Sequence, residues 1–395
     1  MSSVNEWPMV KLGDLGRFIS GGTPNRKRPE FYEGSIPWIS SADLSDTGEI
    51  STRRAITEEA IASSATKLVP AHTILIATRI GVGKVAITSE EMCFSQDIVA
   101  LVDIDEAIVS SSFLKHMILI TRPYLQGIAR GVTIKGISTS DLQRLELPLP
   151  PLDEQQRIAE ILDNAASLIE ASTAKINGLN ELEESSFIFL FGDESVSTTT
   201  EEVAAKYKNS IRTGPFGSQL KHGEFVNEGI SVLGLDNVVS NQFRWASPRF
   251  ITPEKYEQLK RYTVHPGDVL ISIMGTTGRC AIVPDNLPTT INTKHICAIT
   301  TDRARMLSEF LRAAFLWHPE VRQSLRQQTK GAIMAGLNMG IIRNLPLPAP
   351  EMSQQRAWSE FTSEINKLRE KLLEQELLSR ELHQTLATRA FAGEL

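Results

Sequence analysis

The feature that most constrains this chain is that it is written twice. ILIATRIGVGKVAI (Ile74 to Ile87) is answered by VLISIMGTTGRCAI (Val269 to Ile282), at an offset of 195 residues. Leu75, Ile76, Gly83, Ala86 and Ile87 recur as Leu270, Ile271, Gly278, Ala281 and Ile282, and Lys84 is matched by Arg279. Upstream, IPWISSADL (Ile36 to Leu44) is answered by ISVLGLDNV (Ile230 to Val238). Downstream, LELPLPPLDEQQR (Leu145 to Arg157) is answered by RNLPLPAPEMSQQR (Arg343 to Arg356), now at an offset of 199. Blocks repeated in one order, drifting by a few residues as loop insertions make them drift, mark a tandem duplication. With 395 residues the chain is too long for one ordinary core, and two or three domains are expected.

Each copy reads in two parts. The first, residues 1–150 and 192–350, mixes short β-rich runs with Gly, Pro, Ser and Thr punctuation. Thr73–Ala77, Val85–Thr88, Ile98–Val102, Val269–Ile273 and Ile296–Thr300 are expected strands, and Ser112–Ile120 and Ser308–Leu316 short helices. Each first part is therefore an α+β globule with a curved sheet. The second part, residues 151–191 and 351–395, is a long helix that follows a Pro-rich stop. Asp153, with Gln156 three residues on, offers an N-cap, and Ser353 is its counterpart.

In the first long helix Ile158, Ile161, Leu162, Ala165, Leu168, Ile169, Ile176, Leu179 and Leu182 keep one side apolar. In the second, Phe361, Ile365, Leu368, Leu372, Leu382 and Leu386 do so, with Gln375 and Ser379 as a polar interruption. About 38 residues at a rise of 1.5 Å make a rod of roughly 57 Å, too long to sit inside one globule. The shared length and a stripe near the 3.5 period predict that the two helices pair as a coiled coil.

Forty-one Lys and Arg against 47 Asp and Glu give a net charge of −6, which by itself speaks against a nucleic-acid binder. The distribution of charge along the chain points the other way. Residues 151–200 carry −8 and 351–395 carry −2, whereas 1–150 carry −2 and 201–350 carry +6. Acidic helices joining less acidic heads fit heads that touch phosphates. The three cysteines, Cys93, Cys280 and Cys297, make no CxxC pair, so a reducing compartment is expected. The opening MSSVNEWP lacks the basic and apolar regions of a signal peptide, and no apolar run approaches a membrane span. A cytoplasmic protein is expected.

TRIGVGK and MGTTGR lack the spacing and the Lys-Ser/Thr pair of a phosphate-binding P-loop. They read as tight strand-to-strand turns in which Gly supplies positive φ, with Arg79, Lys84 and Arg279 placed to reach a phosphate. The opening loops SGGTPNRKR (Ser20 to Arg28) and RTGPFGSQLK (Arg212 to Lys221) combine Gly, Pro, hydroxyls, amides and cations. Thr23, Asn25, Arg26, Lys27 and Arg28 in the first, and Arg212, Ser218, Gln219 and Lys221 in the second, are of the types that meet phosphates and base edges. With Lys135, Lys294 and Lys330 they complete the candidate DNA contacts. No HExxH or other metal spacing occurs among the seven His, and there is no GxSxG elbow or methyltransferase Asp/Asn-Pro-Pro-aromatic motif. A non-enzyme is expected.

Two variable heads, each followed by PLPPLDEQQRIAEIL-like sequence and a long helix, resemble the specificity subunit of Type I restriction-modification systems. GGTPNRKRPEFYEGSIPWIS looks like the start of its target-recognition domain, TRIGVGKVAI and GVTIKGIS like later landmarks, and TLATRAFAGEL like its usual tail. The resemblance implies an α+β fold: two tandem α+β target-recognition domains, each followed by a long helix, the two helices pairing as an antiparallel coiled coil. It implies that each head reads half of a bipartite, asymmetric duplex-DNA site and that the helices set the spacer. It further implies that two modification subunits, which bind S-adenosylmethionine and methylate adenine, dock along the helices, with motor-nuclease subunits able to join. This chain would hold no cofactor of its own. Glu154, Gln155, Gln156, Gln354 and Gln355 at the junctions are candidate docking residues. Met352-Ser353-Gln354-Gln355 stands where the first copy has Asp153-Glu154-Gln155-Gln156, so Ser353 replaces an acidic residue and the two docking sites are expected to differ. The competing expectations are a coiled-coil scaffold with protein-binding heads and the specificity part of a fused restriction-methylation enzyme.

Overall fold

Ile74–Ala77 and Val269–Ser272 are the inner strands of the two copies, and all their residues are buried. Successive side chains leave a strand on opposite faces, so each strand feeds two cores. Ile74 and Ile76 pack with Phe113 and Leu114, whereas Leu75 and Ala77 pack with Phe94 and Leu44. Val269 and Ile271 pack with Phe310 and Leu311, whereas Leu270 packs with Leu233 and Val238. The computed structural model describes residues 7–131, 133–329 and 336–395.

Each inner strand is one arm of an antiparallel hairpin. Ile74, Leu75 and Ile76 lie opposite Ile87, Ala86 and Val85, and Val269, Leu270 and Ile271 lie opposite Ile282, Ala281 and Cys280. Ile98–Val102 and then Arg17–Ser20 extend the first sheet to four strands, as Ile296–Ile299 and Ile211–Thr213 extend the second. A smaller sheet in each head contains one parallel pair: Ile36–Ile39 beside Met92–Phe94, and Ile230–Leu233 beside Thr290–Asn292. A short antiparallel ladder closes each head at its base, Met9–Lys11 against Glu146–Pro148 and Val196–Thr199 against Pro346–Pro348.

The long helices span Leu152–Phe191 and Met352–Phe391, 40 residues each. Both begin before the expected caps. Asp153 lies in the first turn of its helix, where an acid suits the dipole, and Ser353 lies in the first turn of the other. The chain divides into Met1–Lys175 with Leu372–Leu395, and Ile176–Lys371. Each unit thus holds one head and half of each long helix. In the first unit Ile158, Ala159, Leu162, Ala387 and Ala390 join the head's core. In the second, Phe187, Phe191 and Trp358 do so, with ring centroids of Phe187 and Trp358 5.2 Å apart.

The helix stripe differs from the expected one at four leucines. Leu168, Leu182, Leu368 and Leu382 are each about half exposed, at 46%, 46%, 50% and 47%, while Ser172, Glu183, Arg369 and Ser379 are buried. Glu183 takes a buried place beside exposed Leu182 because Arg312 and Arg369 meet it there. No helix among the described residues is long and apolar enough to cross a membrane.

Candidate nucleic-acid interface

The helix junctions are built by one residue type used twice. Gln155 is buried; its Oε1 accepts from Ser110 N at 2.9 Å, and its Nε2 donates to Ile108 O at 3.0 Å and Pro150 O at 2.9 Å. Gln355, equally buried, accepts from Leu307 N at 2.9 Å and donates to Arg305 O at 3.2 Å and Pro350 O at 3.0 Å. Both glutamines therefore bolt a long helix to its own head, which removes them from the docking candidates. The equivalence Gln155 to Gln355 is an offset of 200, not the 199 at which the QQR triplets align. Gln354 thus stands in place of Glu154, and Ala357 in place of Arg157. Glu154 is ion-paired to Arg157 at 2.7 Å, whereas Gln156 and Gln354 are exposed.

The first opening loop is pressed onto the sheet. A Cβ at Gly22 would lie 2.3 Å from Thr66 N, so only Gly allows the approach. Trp38 Nε1 donates to Gly22 O at 3.1 Å and Tyr32 Oη to Pro24 O at 2.8 Å. Asn25, Arg26 and Lys27 are left exposed and Thr23 partly so, with Asn25 Oδ1 accepting from Lys27 N at 3.0 Å. Arg28 is pinned by Glu30 at 2.7 Å and Glu59 at 2.9 Å and sits 4.0 Å from the Phe31 ring centre. The Glu30 hydrogen bond raises its pKa further.

In the second opening loop Ser218, Gln219 and Lys221 are exposed, and Gln219 Oε1 accepts from Tyr262 Oη at 2.8 Å. Arg212 corrects the expectation of a DNA contact. Its guanidinium is buried, ion-paired with Asp268, and donates to Thr263 O at 2.6 Å and Thr300 Oγ1 at 3.0 Å. It holds the sheet together and is closed to any phosphate.

The Gly loops are hairpin tips as expected, with Gly81, Gly83, Gly275 and Gly278 all at positive φ. Their cations behave differently. Arg79 is exposed and its backbone bridges Gly136, which brings it beside exposed Lys135. Arg279 and Lys294 are exposed in the second head. Lys84 instead folds inward, donating to Leu44 O at 2.7 Å with Asp46 at 3.8 Å, so it is no free phosphate contact. Desolvation pushes the Asp46 pKa up, but the hydrogen bond from Arg122 and nearby cations outweigh it and hold the carboxyl low. Lys330 lies outside the described residues.

Two charge clusters, one buried and one half-buried, tie the heads to the helices. In the second unit Glu183 meets Arg312 at 2.8 Å and Arg369 at 2.8 Å. In the first, Asp163 meets Lys115 at 2.7 Å, His116 at 2.8 Å and Ser112 at 2.6 Å. Sequence reading missed both clusters, and it missed Arg322 and Arg326, a surface pair one helical turn apart; the i, i+4 spacing of Arg and Gln along 322–327 was their signal. Burial raises the thiol of Cys93 to about 11 and those of Cys280 and Cys297 to about 12, so none is a ready nucleophile. Among the described residues no group of three His, Cys, Asp or Glu is placed to hold a metal.

Residues 5–181 match the family model of the Type I restriction modification DNA specificity domain. The specificity subunit of the type I restriction enzyme EcoR124I/EcoR124II of Escherichia coli is 36% identical over 42% of this chain and 42% of its own length. That of MjaIX from Methanocaldococcus jannaschii is 31% identical over 42% of this chain and 39% of its own length. These two matches thus span well under half of the relatives' lengths. The MjaVIII specificity subunit of the same archaeon is 23% identical over 92% of this chain and 87% of its own. The crystal structure of a Type-I restriction-modification S subunit from M. genitalium superposes with a TM-score of 0.52 at 16% identity, covering 99% of this chain and 97% of that one. It shares the fold.

Proposed function

Because this chain belongs to the family of Type I restriction-modification specificity subunits, we propose that it is the duplex-DNA-reading subunit of such a complex. Each head reads one half of a bipartite, asymmetric site, and the paired helices set the unread spacer. Two methyltransferase subunits dock along the helices and supply S-adenosylmethionine-dependent adenine methylation; motor-nuclease subunits join for cleavage. The chain itself contributes binding and geometry.

One observation carries this reading: two heads with the same sheet register are each bolted by the same buried glutamine to a 40-residue helix. Readers joined through such helices would bind together at one spacing and one phase of the double helix, and the linkage would raise the effective concentration of the second contact. The exposed cations and amides of the opening loops and hairpin tips supply phosphate and base-edge contacts. A methyltransferase must flip its adenine out of the stack, and readers on both flanks would hold the strained duplex while it does.

The test is base-resolution adenine-methylation sequencing of the host genome with and without the chain. Loss of one split, asymmetric methylated motif is expected. If the partners are active and no motif disappears, the reading fails and a scaffold with protein-binding heads takes its place.

A further inference from the structure

The hairpin tip of the first head keeps one residue in a backbone conformation that its side chain resists. Five non-glycine residues of the described chain have positive φ, and four of them are His72, Asp103, Asn209 and Asn241, types that tolerate the left-handed region. The fifth is Ile80, at φ 44°. A β-branched residue is an outlier there, because its Cβ crowds the following carbonyl. Strain of this kind persists where the surrounding structure over-determines it, and it gathers at ligand clamps. Ile80 is 55% exposed, whereas Val82 in the same turn is buried in the head's core. The turn thus buries one apolar side chain and holds the other out. At the matching place in the second head stands Gly275, at φ 77°, the residue such a turn favours. The turn itself therefore does not require an isoleucine.

The tip is braced from below and from the side. Lys84 Nζ donates to Leu44 O at 2.7 Å, and Gly83 N donates to Ala77 O at 2.9 Å. Arg79 bridges Gly136, and Ile137 N donates to Thr78 O at 2.9 Å, so Ile134 and Lys135 belong to the loop beside the tip. Ile134 is 55% exposed as well. Two isoleucine–cation pairs, Arg79-Ile80 and Ile134-Lys135, stand on neighbouring loops. All four residues are exposed, and neither cation is ion-paired among the described residues. Phosphates alone would give the isoleucines nothing to bury against, and an apolar protein surface would leave the cations unmatched. Duplex DNA offers both, an apolar base stack between two rows of phosphates. Isoleucine is among the side chains that open a base step, with Arg and Lys beside it.

Resting on the reading of the chain as a duplex-DNA reader, we propose that Ile80 is an apolar wedge that enters the base stack of the half-site read by the first head. Arg79 and Lys135 hold phosphates on either side, and Ile134 lies against the opened step. Pyrimidine–purine steps unstack most easily, so the first head selects such a step without a hydrogen bond to it. The second head, with Gly275 at this place, has no wedge there.

The experiment uses the full chain with its co-expressed modification subunits. Sites are enriched from a random duplex library, and the enriched duplex is titrated by fluorescence anisotropy. Ile80→Gly should melt no lower than the unmodified complex, because it relieves the strain. It should nevertheless bind the enriched duplex about ten- to a hundredfold more weakly. Its salt slope should be unchanged, since an apolar contact releases no counterion, whereas R79Q should make the slope shallower by about 0.9. Ile80→Met should keep most of the affinity. The enriched site should contain a pyrimidine–purine step, and 2-aminopurine at its purine should brighten when the unmodified complex binds but not when Ile80→Gly binds. Full affinity in Ile80→Gly, a lowered melting temperature in that variant, or no brightening at any step overturns the wedge. A loss in Ile80→Gly that uracil in place of one thymine reproduces, without brightening, assigns Ile80 to a thymine methyl group and also overturns it. Each of these leaves the DNA-reading function standing. Failure of the unmodified complex to enrich or bind any duplex overturns both.

Discussion

At the scale of single residues, Gln155 and Gln355 show how one amide can fix a helix on a domain. Each satisfies one buried backbone N–H and two backbone carbonyls. Gln155→Leu keeps the volume and strands those groups, so it should cost about 2–4 kcal/mol. Gln156→Leu, on the exposed side, should stay within about 0.5 kcal/mol. Equal denaturant midpoints for the two variants would refute the bolt. Lys84 and Arg279 make a second contrast. They align in the repeat, yet Lys84 is bound to Leu44 O at 2.7 Å whereas Arg279 is exposed. Under the proposed function R279E should lower the salt slope of DNA binding by about one unit. K84E, whose wild-type side chain is committed to the fold, should instead lower the melting temperature. A salt slope lowered equally by both reversals would show that Lys84 also reaches DNA.

At the scale of elements, charge joins apolar packing in holding the long helices. Removing Glu183 leaves Arg312 and Arg369 buried without their anion, so Glu183→Ala should destabilise by about 3–5 kcal/mol, measured as a shift in the unfolding midpoint. The first unit uses a titratable cluster in the same role. The pKa of His383 is pushed down to about 4, first by burial, then by His116, Lys115 and Arg380, with Asp163 opposing. Burial lowers that of His116 too, against its hydrogen bond to Asp163. Burial would raise the Asp163 carboxyl, but His116, Lys115 and Ser112 outweigh it and hold it low. Between pH 6.5 and about 4 the unfolded chain binds a proton at His383 that the folded chain refuses. The part of the stability that comes from His383 is therefore full above pH 6.5 and is lost progressively as pH drops towards about 4. His383→Gln should flatten that slope in pH-dependent denaturation, and an unchanged slope would exclude His383 as its source. For the ruler, a heptad added between Leu168 and Ile176, with a matching one in the partner helix, lengthens both by about 10 Å. The permitted spacer should grow by about three base pairs at a rise of 3.4 Å, read by methylation sequencing; an unaltered spacer removes the helices from that role.

At the scale of the whole molecule, a net charge of −6 conceals a division of labour. The helices are acidic and the second head basic, a pattern that under the proposed function would keep phosphate contacts on the heads. Much of the architecture was legible in the sequence because it rests on local periodicity. The hairpin Ile74–Ile87 and its repeat show short continuous apolar runs around a Gly turn, the pattern of strands with both faces covered. The long helices show uninterrupted helical sequence between a Pro-rich stop and the chain's next head or its tail. The candidate interface was legible only in part. Arg26, Lys27, Arg79 and Arg279 are exposed on loops, as their composition suggested. Arg212 and Lys84 were not separable from them, since a cation's partner lies far along the chain: Asp268 for one, Leu44 and Asp46 for the other.

The sequence by itself determined that there are two heads of one kind, each followed by a long helix, because duplication and hydrophobic period are written in consecutive residues. Only the tertiary structure decided how those helices are seated. The QQ pairs look superimposable at an offset of 199, yet the first Gln of one and the second of the other enter the heads. A helix turns 100° per residue, so a slip of one places a different side chain in the pocket, and three buried hydrogen bonds settle which. The same holds for Leu168 and Leu182, apolar in sequence and exposed in the fold, where Glu183 takes the buried place because Arg312 and Arg369 are there to meet it.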